Sequence, residues 1–384
     1  MKLKWKNDEK QKMFERFKMK KKGRNKKFQI KGRIWWGNSY LLKDNIIEEG
    51  DKRDDIKEKF IINNFPQIET ENFVLLLNKY IPIIEAKITD REGNKPEIWF
   101  DIQGECIGGD SKKLFLNGLK NKFKNKNIYY KKFSELKNVI DDQKIALERQ
   151  GYKLVYSQSL KVQSRLIVGL GSSHVLETSI TLHHIYGVPY IPASALKGVC
   201  RMVAFWKIAE SKGILTNENL LKKLQDEFYG ELTSDKDILK YQLLFGAQNF
   251  KGLLLFLDAY PIIENNNTEI FDLDIMNVHY PSYYEGEGTP GDWENPRPII
   301  FLTVKEETTF SFNILLDEFR AERIKESSEE ELRELNIPEY AKEIVNDWEY
   351  NRQQLHDEIK DLLEKALSKF GVGSKTRLGY GVFG

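Results

Sequence analysis

Hydrophobic and polar positions along the chain are weakly patterned before about residue 150 and well patterned after it. Phe28, Ile30, Ile34, Trp35, Trp36 and Tyr40 give a strand-like run from Phe28 to Leu42, whereas residues 44–59 are charged and read as a loop. Asn72 to Tyr80 reads as a short buried helix broken at Pro82, and residues 110–150 read as lysine-rich helices. Leu154 to Leu170 predicts a long strand ending in Gly169-Leu-Gly171, and Thr178 to Tyr190 a strand or hairpin bent at Gly187-Val-Pro189. A helix is expected to begin at Pro192–Ser194, because proline and serine both favour helix starts. Leu196, Val199, Cys200 and Val203 then follow the helical period.

Gly252 to Ile263 reads as a buried strand, and Ile299 to Leu316 as further strands. Between them, Phe271 to Ile300 is too rich in Tyr, Pro and Gly for a helix and predicts a long projecting loop or hairpin. Residues 317–346 are acidic and helix-prone. Trp348, Leu355, Ile359, Leu362, Leu363, Ala366, Leu367 and Phe370 share one face of a last helix, with Gly371 as its stop and Tyr380 to Phe383 as a closing strand. This order predicts an α+β fold: a ferredoxin-like (RRM-like) βαββαβ core with a β-hairpin insertion. An N-terminal basic, partly helical extension over 1–65 and a helical segment over 66–150 precede the core at 151–384, whose insertion falls near 271–300.

With 40% hydrophobic residues the chain can bury a core, and no apolar run reaches the roughly 18 residues of a membrane span. The charged start carries no apolar signal region, and Cys106 and Cys200 are too few and too distant for a disulfide framework. A cytoplasmic protein is expected. The net charge of +2 conceals polarisation: residues 1–33 hold 15 Lys/Arg against 3 Asp/Glu, and residues 111–137 hold 9 Lys against 1 Glu. Basic surface for a polyanion and lysine-rich solvated segments fit this equally.

Three constellations carry candidate chemistry. Gly371, Gly373, Gly379 and Gly381 surround Ser374, Lys375, Thr376 and Arg377, where glycine lets a phosphate approach the backbone while the cations and hydroxyls contact its oxygens. A helix stop needs only one glycine, so phosphate-backbone binding is favoured; a Walker A loop is not, because Ser374 separates Gly373 from Lys375 and the loop follows a helix. Ser194, Lys197 and Arg201 share one face at the start of a helix, where free amides suit an anion, though a solvated stripe fits as well. His279, Tyr280, Tyr283 and Tyr284, near Trp293 and Arg297, place rings in the projecting segment, either to stack on bases or to hold the segment down.

His183 and His184 are adjacent and would point to opposite faces of a strand, so they do not chelate one metal together. Asp258, Asp272 and Asp274 show no spacing that makes them converge, and no cofactor is called for.

Gly169-Leu-Gly171, Glu177, Gly187 to Arg201 and the Gly371–Gly381 loop together resemble the RAMP superfamily of CRISPR-associated RNA-binding proteins. Asn277 to Tyr284, Asp258-Ala-Tyr-Pro261 and Asn72 to Tyr80 look most like its type III-B (Cmr) sixth-subunit branch, with Ala193 where that family usually has Gly. The resemblance covers about residues 70–384. It implies a non-catalytic structural subunit that holds guide RNA backbone and guide–target duplex near the 3′ side of the guide, in antiviral defence. Guide RNA, target RNA and other RAMP subunits would be its partners, and the Tyr-rich projection would be a thumb contacting the duplex. The alternative is a metal-independent RAMP endoribonuclease processing guide precursors, which would need His174, His183 or His184 beside Ser194 or Lys197.

Overall fold

A computed structural model of the chain describes residues 28–36, 40–50, 77, 82–90, 98–100, 112–113, 116–117, 119–120, 128–174, 176–263, 269–284 and 286–384. These fall into two units, one of residues 1–67 and 82–111 and one of residues 68–81 and 112–384. In the first, β1 (Phe28–Trp36) pairs antiparallel with β2 (Tyr40–Gly50) and β3 (Pro82–Asp90), and β4 (Ile98–Phe100) completes the order β2-β1-β3-β4. Residues 44–50, expected in a loop, belong to β2. Their pairing, from Phe28↔Gly50 to Gly32↔Ile46, gives backbone groups ladder partners whatever the side chains, which outweighs a charged composition. The basic arm before Phe28 lies outside the described residues, and so does most of the expected helix at Asn72 to Tyr80; Leu77 is helical and buried.

The second unit begins its long elements with α1 (Ile128–Arg149), which buries Phe133 and Leu136 and half-buries Ile140 and Leu147, a helical stripe laid beside β5 (Tyr152–Lys161). The predicted strand to Leu170 stops at Lys161, because the chain turns there to bond the C-terminal segment: Lys161 and Gly384 exchange backbone hydrogen bonds of 3.2 and 3.0 Å. Residues 178–190 form a turn with a single bridge, Leu182↔Pro189, in place of a strand.

Helix α2 (Ala193–Ser211) starts where expected and buries Leu196, Cys200, Val203, Ala204 and Ile208. Two helices that the pattern did not reveal follow, α3 (Glu218–Tyr229) and α4 (Lys236–Phe245). Their starts are fixed by side-chain caps: Asn217 Oδ1 accepts from Leu220 N at 3.1 Å, and Asp235 Oδ1 from the amides of Asp237 and Ile238.

The expected buried strand at 252–263 is split into β6 (Leu254–Phe256) and β7 (Tyr260–Pro261), with Ala259 between them bridged to Ile191. A long hairpin of β8 (Phe271–Val278) and β9 (Arg297–Val304) follows, with a four-residue helix α5 (Pro281–Tyr284) at its tip. Strand β10 (Thr309–Asp317) pairs antiparallel with β5 on one side and with β6 and β7 on the other. The closing strand is reduced to one bridge, Val162↔Phe383, so the spatial order runs C-terminal segment, β5, β10, β6. Phe383 meets Phe310 and Phe312 edge-on at 5.8 and 5.3 Å in the core.

The acidic region forms α6 (Glu318–Glu326), α7 (Glu329–Glu334) and α8 (Tyr340–Tyr350). The expected single last helix is broken at Asn351, where φ is −115° and ψ 47°; α9 (Arg352–Lys365) then ends in a π-turn over Ala366–Phe370, and Gly371 follows with φ 73°. Among the described residues no helix is long and apolar enough to cross a membrane. Mixed helix and strand make this an α+β fold.

Candidate nucleic-acid interface

After Gly371 the chain folds into a short 3-10 turn, Thr376–Leu378, entered through Lys375 in the left-handed region at φ 61°. Leu378 N and Tyr380 N both donate to the Lys375 carbonyl, which closes the turn. Among the described residues the amides of Lys375, Thr376 and Arg377 have no backbone partner, Arg377 is exposed, and the Lys375 ammonium lies 5.5 Å from the Phe301 ring centroid. Ser374 and Thr376 are half-buried beside them. The loop is therefore built from cations and unspent amides, the combination that suits a phosphate.

The glycines have a different reason from the one read in the sequence. A Cβ on Gly381, at φ 68°, would lie 1.9 Å from the Val372 carbonyl oxygen, and one on Gly373, at φ 99°, 2.4 Å from that of Ile167. At Gly381 the loop packs on its own backbone, with Val372 N donating to Gly381 O, and at Gly373 on the segment at Ile167, whose carbonyl accepts from Ser374 N. Gly371 is buried in the same contact, and only Gly379, with open space around it, is left to a ligand.

At the start of α2 the structure divides the predicted stripe. Pro192 provides no side-chain cap; the Ala193 amide instead donates to Asp258 Oδ1 at 2.7 Å. An internal carboxylate thus holds the place that the sequence offered to a phosphate, and Ser194 stays exposed beside it. Arg201 is engaged within the fold: its Nη2 donates to the carbonyls of Phe228 (3.3 Å) and Gly246 (3.0 Å), and its guanidinium lies 4.5 Å from the Tyr229 ring centroid. It satisfies the C-terminal carbonyls of α3 and α4, which neither helix can satisfy itself. Lys197 is left half-buried with no hydrogen-bond or ion-pair partner among the described residues. Burial, and then the charges of Arg201 and Lys251, hold its ammonium below the usual range. An arriving anion would relieve this cluster. Lys251 was not legible as part of it, since it comes from a loop fifty residues further along the chain.

The hairpin rises from a second cluster that the sequence did not reveal. The Arg165 guanidinium bridges Asp272 (3.2 Å) and Asp274 (3.1 Å) on β8; Lys120 pairs with Asp272 at 3.3 Å, and the Tyr380 hydroxyl donates to Asp274. Arg165 also accepts the Gly381 amide through its carbonyl, so one residue joins the hairpin base to the C-terminal loop. Asp272 and Asp274 converge after all, on a guanidinium. At the tip His279 is exposed, Tyr280 donates to Asp292 Oδ1 at 3.1 Å, and Tyr283, Tyr284 and Trp293 are 51, 74 and 80% exposed. Tyr280 holds the tip together, while the others present their rings to solvent. Arg297 is drawn to Glu177 at 2.9 Å.

Two of the histidines, His174 and His183, are occupied with turns. His174 Nδ1 accepts from Leu176 N at 3.1 Å, and His183 Nδ1 from the amides of Ile185 and Tyr186 at 3.3 Å. Burial holds both imidazoles below their ordinary range. Among the described residues no group of three His, Cys, Asp or Glu side chains is placed to hold a metal.

This geometry can be compared with known proteins. The chain is 34% identical over 255 residues to the CRISPR system Cmr subunit Cmr6 of Pyrococcus furiosus, covering 58% of this chain and 65% of that protein. It is 23% identical to Cmr6 of Saccharolobus solfataricus, covering 65% and 64%. The chain thus spans just under two thirds of the length of these relatives. Among solved structures, a type III-B Cmr-beta complex bound to cognate target RNA matches at 21% identity over 65% of this chain and 64% of that one, with a TM-score of 0.41. The crystal structure of Cmr6 from Pyrococcus furiosus matches at 31% identity over 61% and 97%, with a TM-score of 0.36. The RAMP superfamily model matches residues 159–383, which hold α2, the hairpin and the C-terminal loop. With more than half of its length matched, the chain belongs to the RAMP superfamily.

Proposed function

We propose that the chain is a non-catalytic, RNA-binding structural subunit of a type III-B CRISPR RNA-guided effector complex, acting in the cytoplasm in antiviral defence. It holds the backbone of the guide RNA, and the guide–target duplex, near the 3′ side of the guide. Target RNA and the other RAMP subunits of the complex are its further partners. The names carried by its two Cmr6 relatives support this reading. The observation that carries it is the turn at Lys375–Arg377, with an exposed cation and three successive amides that have no backbone partner among the described residues. Amides and cations recognise phosphate rather than base identity, as a subunit that must accept any guide sequence requires.

Ser194, Lys197 and Lys251 extend the phosphate track along α2, with Ser374, Thr376 and Gly379 alongside the loop cations. The exposed rings of His279, Tyr283 and Tyr284, braced through Tyr280, form a thumb against the duplex. The order C-terminal segment, β5, β10, β6, with helices after β5 and after β10, supports a ferredoxin-like core over residues 151–384.

The test is co-expression of the chain with its genomic neighbours, followed by RNA extraction from the purified complex. Short guide RNA is expected to travel with it. Arg377→Ala is expected to weaken RNA binding similarly for unrelated sequences and to lower the log–log salt slope by about 0.7. A complex free of RNA, or an unchanged slope, would sink the assignment.

A further inference from the structure

The chain leading into α2 and the strand β7 bring four rings together. His183 lies 5.0 Å from Tyr186, 6.0 Å from Tyr190 and 5.8 Å from Tyr260, measured between ring centroids. Tyr190 and Tyr260 stack at 5.7 Å with 20° between their planes. Phe310 and Phe383 in the core are 0 and 1% exposed, whereas all four of these residues are only half-buried. The Asp258 carboxylate sits beside them, reached by the Tyr260 hydroxyl at 3.4 Å and by the Ala193 amide. Each of its oxygens keeps a lone pair for a further donor.

Next to this cluster is a cavity of about 410 Å³ between α1 and β6, lined by Asp258 and Tyr260 and walled by Leu147, Leu255 and Leu257, with Gln143 as a polar edge. It is concave and half-open, mostly apolar, with a few polar groups at its edge. The charges around it are ordered. The carboxylate lies at the first residue of α2, and Lys197 with Lys251 lies a turn further along.

We propose that this basin is a nucleobase site: one unpaired base of the bound RNA stacks on Tyr190 and Tyr260 beside Asp258, with its backbone directed toward Lys197 and Lys251. The proposal rests on the RNA-binding reading above and adds a contact to a base where that reading supplies only contacts to backbone and duplex. Flat rings give stacking that any base can use, and the carboxylate and imidazole can bond a splayed base at its edge. Lys197 and Lys251, with no ion-pair partner among the described residues, favour a nucleotide over an apolar anchor from a protein, which would bring no charge to them.

Guide RNA carrying a single 5-iodouridine, scanned through each position, is assembled into the complete complex, irradiated and mapped by peptide mass spectrometry. An adduct on Tyr190 or Tyr260 is expected at one guide position. Tyr190→Leu/Tyr260→Leu is expected to lose the adduct and to bind RNA about tenfold more weakly, the value of about one base stack. Tyr190→Phe/Tyr260→Phe should bind like the native chain. The adduct is sought on the native chain, so its absence overturns the basin however the leucine variant folds. RNA retained without an adduct at either tyrosine overturns the basin and leaves the RNA-binding function standing; a native complex without RNA overturns both. A benzoylphenylalanine at position 190 that captures a neighbouring subunit in the RNA-loaded complex also overturns the proposal, by showing a protein in the basin.

Discussion

Removing the Arg201 side chain leaves the Phe228 and Gly246 carbonyls without their donor and strips a cation from the Tyr229 face. Arg201→Ala is expected to cost about 1–3 kcal/mol in urea unfolding, the usual penalty for orphaned buried acceptors. Direct phosphate binding by Arg201 predicts the reverse pattern, with stability unchanged and the salt slope reduced. The loop glycines separate in the same way. Gly381→Ala places a methyl against the Val372 carbonyl at a left-handed φ, whereas Gly379→Ala meets open space at φ 87°. Both pay a backbone cost of about 1–3 kcal/mol, and only Gly381→Ala adds overlap. The first variant is expected to melt well below the second, and equal melting temperatures would refute the close packing assigned to the loop. At this scale the sequence revealed which residues were chemically capable. It did not reveal that Arg201 and Gly381 are committed inward, because the atoms they meet are contributed by α3, α4 and Val372.

Among the elements, the hairpin depends on Arg165. Without that guanidinium Asp272 and Asp274 face each other on β8, with Lys120 and Tyr380 left to hold them. Arg165→Ala is therefore expected to speed amide exchange in residues 271–278 and around 379–381 while leaving α6 to α9 unchanged. Uniform acceleration across the molecule would show that the cluster supports the whole fold and does not clamp the hairpin alone. Element order was largely legible, since α2, the hairpin, β10 and the acidic helices follow local periodicity and capping. Charged residues hid the end of β2, whose stability comes from pairing with β1. Helices α3 and α4 went unread although Asn217 and Asp235 mark their starts. The last helix looked continuous because apolar spacing carries across Asn351, where the backbone departs from helical geometry.

For the molecule as a whole, partly buried ionisable groups set the response to acid. Burial holds His174 and His183 below the ordinary 6.5, so the unfolded chain takes up protons first and stability falls as pH drops from about that value. Burial opposes ionisation of Asp272 and Glu358, but the Leu273 amide with Arg165 and Lys120, and Lys240 with Tyr241, outweigh it and hold these carboxyls below their usual range. Their contribution is present above about pH 4 and is lost on further acidification. Urea midpoints are expected to decline in two stages, and His183→Gln should flatten the upper one; an unaltered upper stage would show that His183 is not responsible.

Much of the order of strands and helices, the cationic glycine loop and the family were already present in the sequence, because periodicity, caps and motifs are written in residues close together along the chain. Tertiary structure alone decided that Asp258 caps α2, that Lys251 joins Arg201 beside Lys197, that Arg165 ties the hairpin to the C-terminal loop, and that Tyr190 stacks on Tyr260. Each of these joins residues from about fifty to more than two hundred positions apart. Which of many possible partners meet is fixed by sheet pairing and core packing, and no spacing along the chain encodes it.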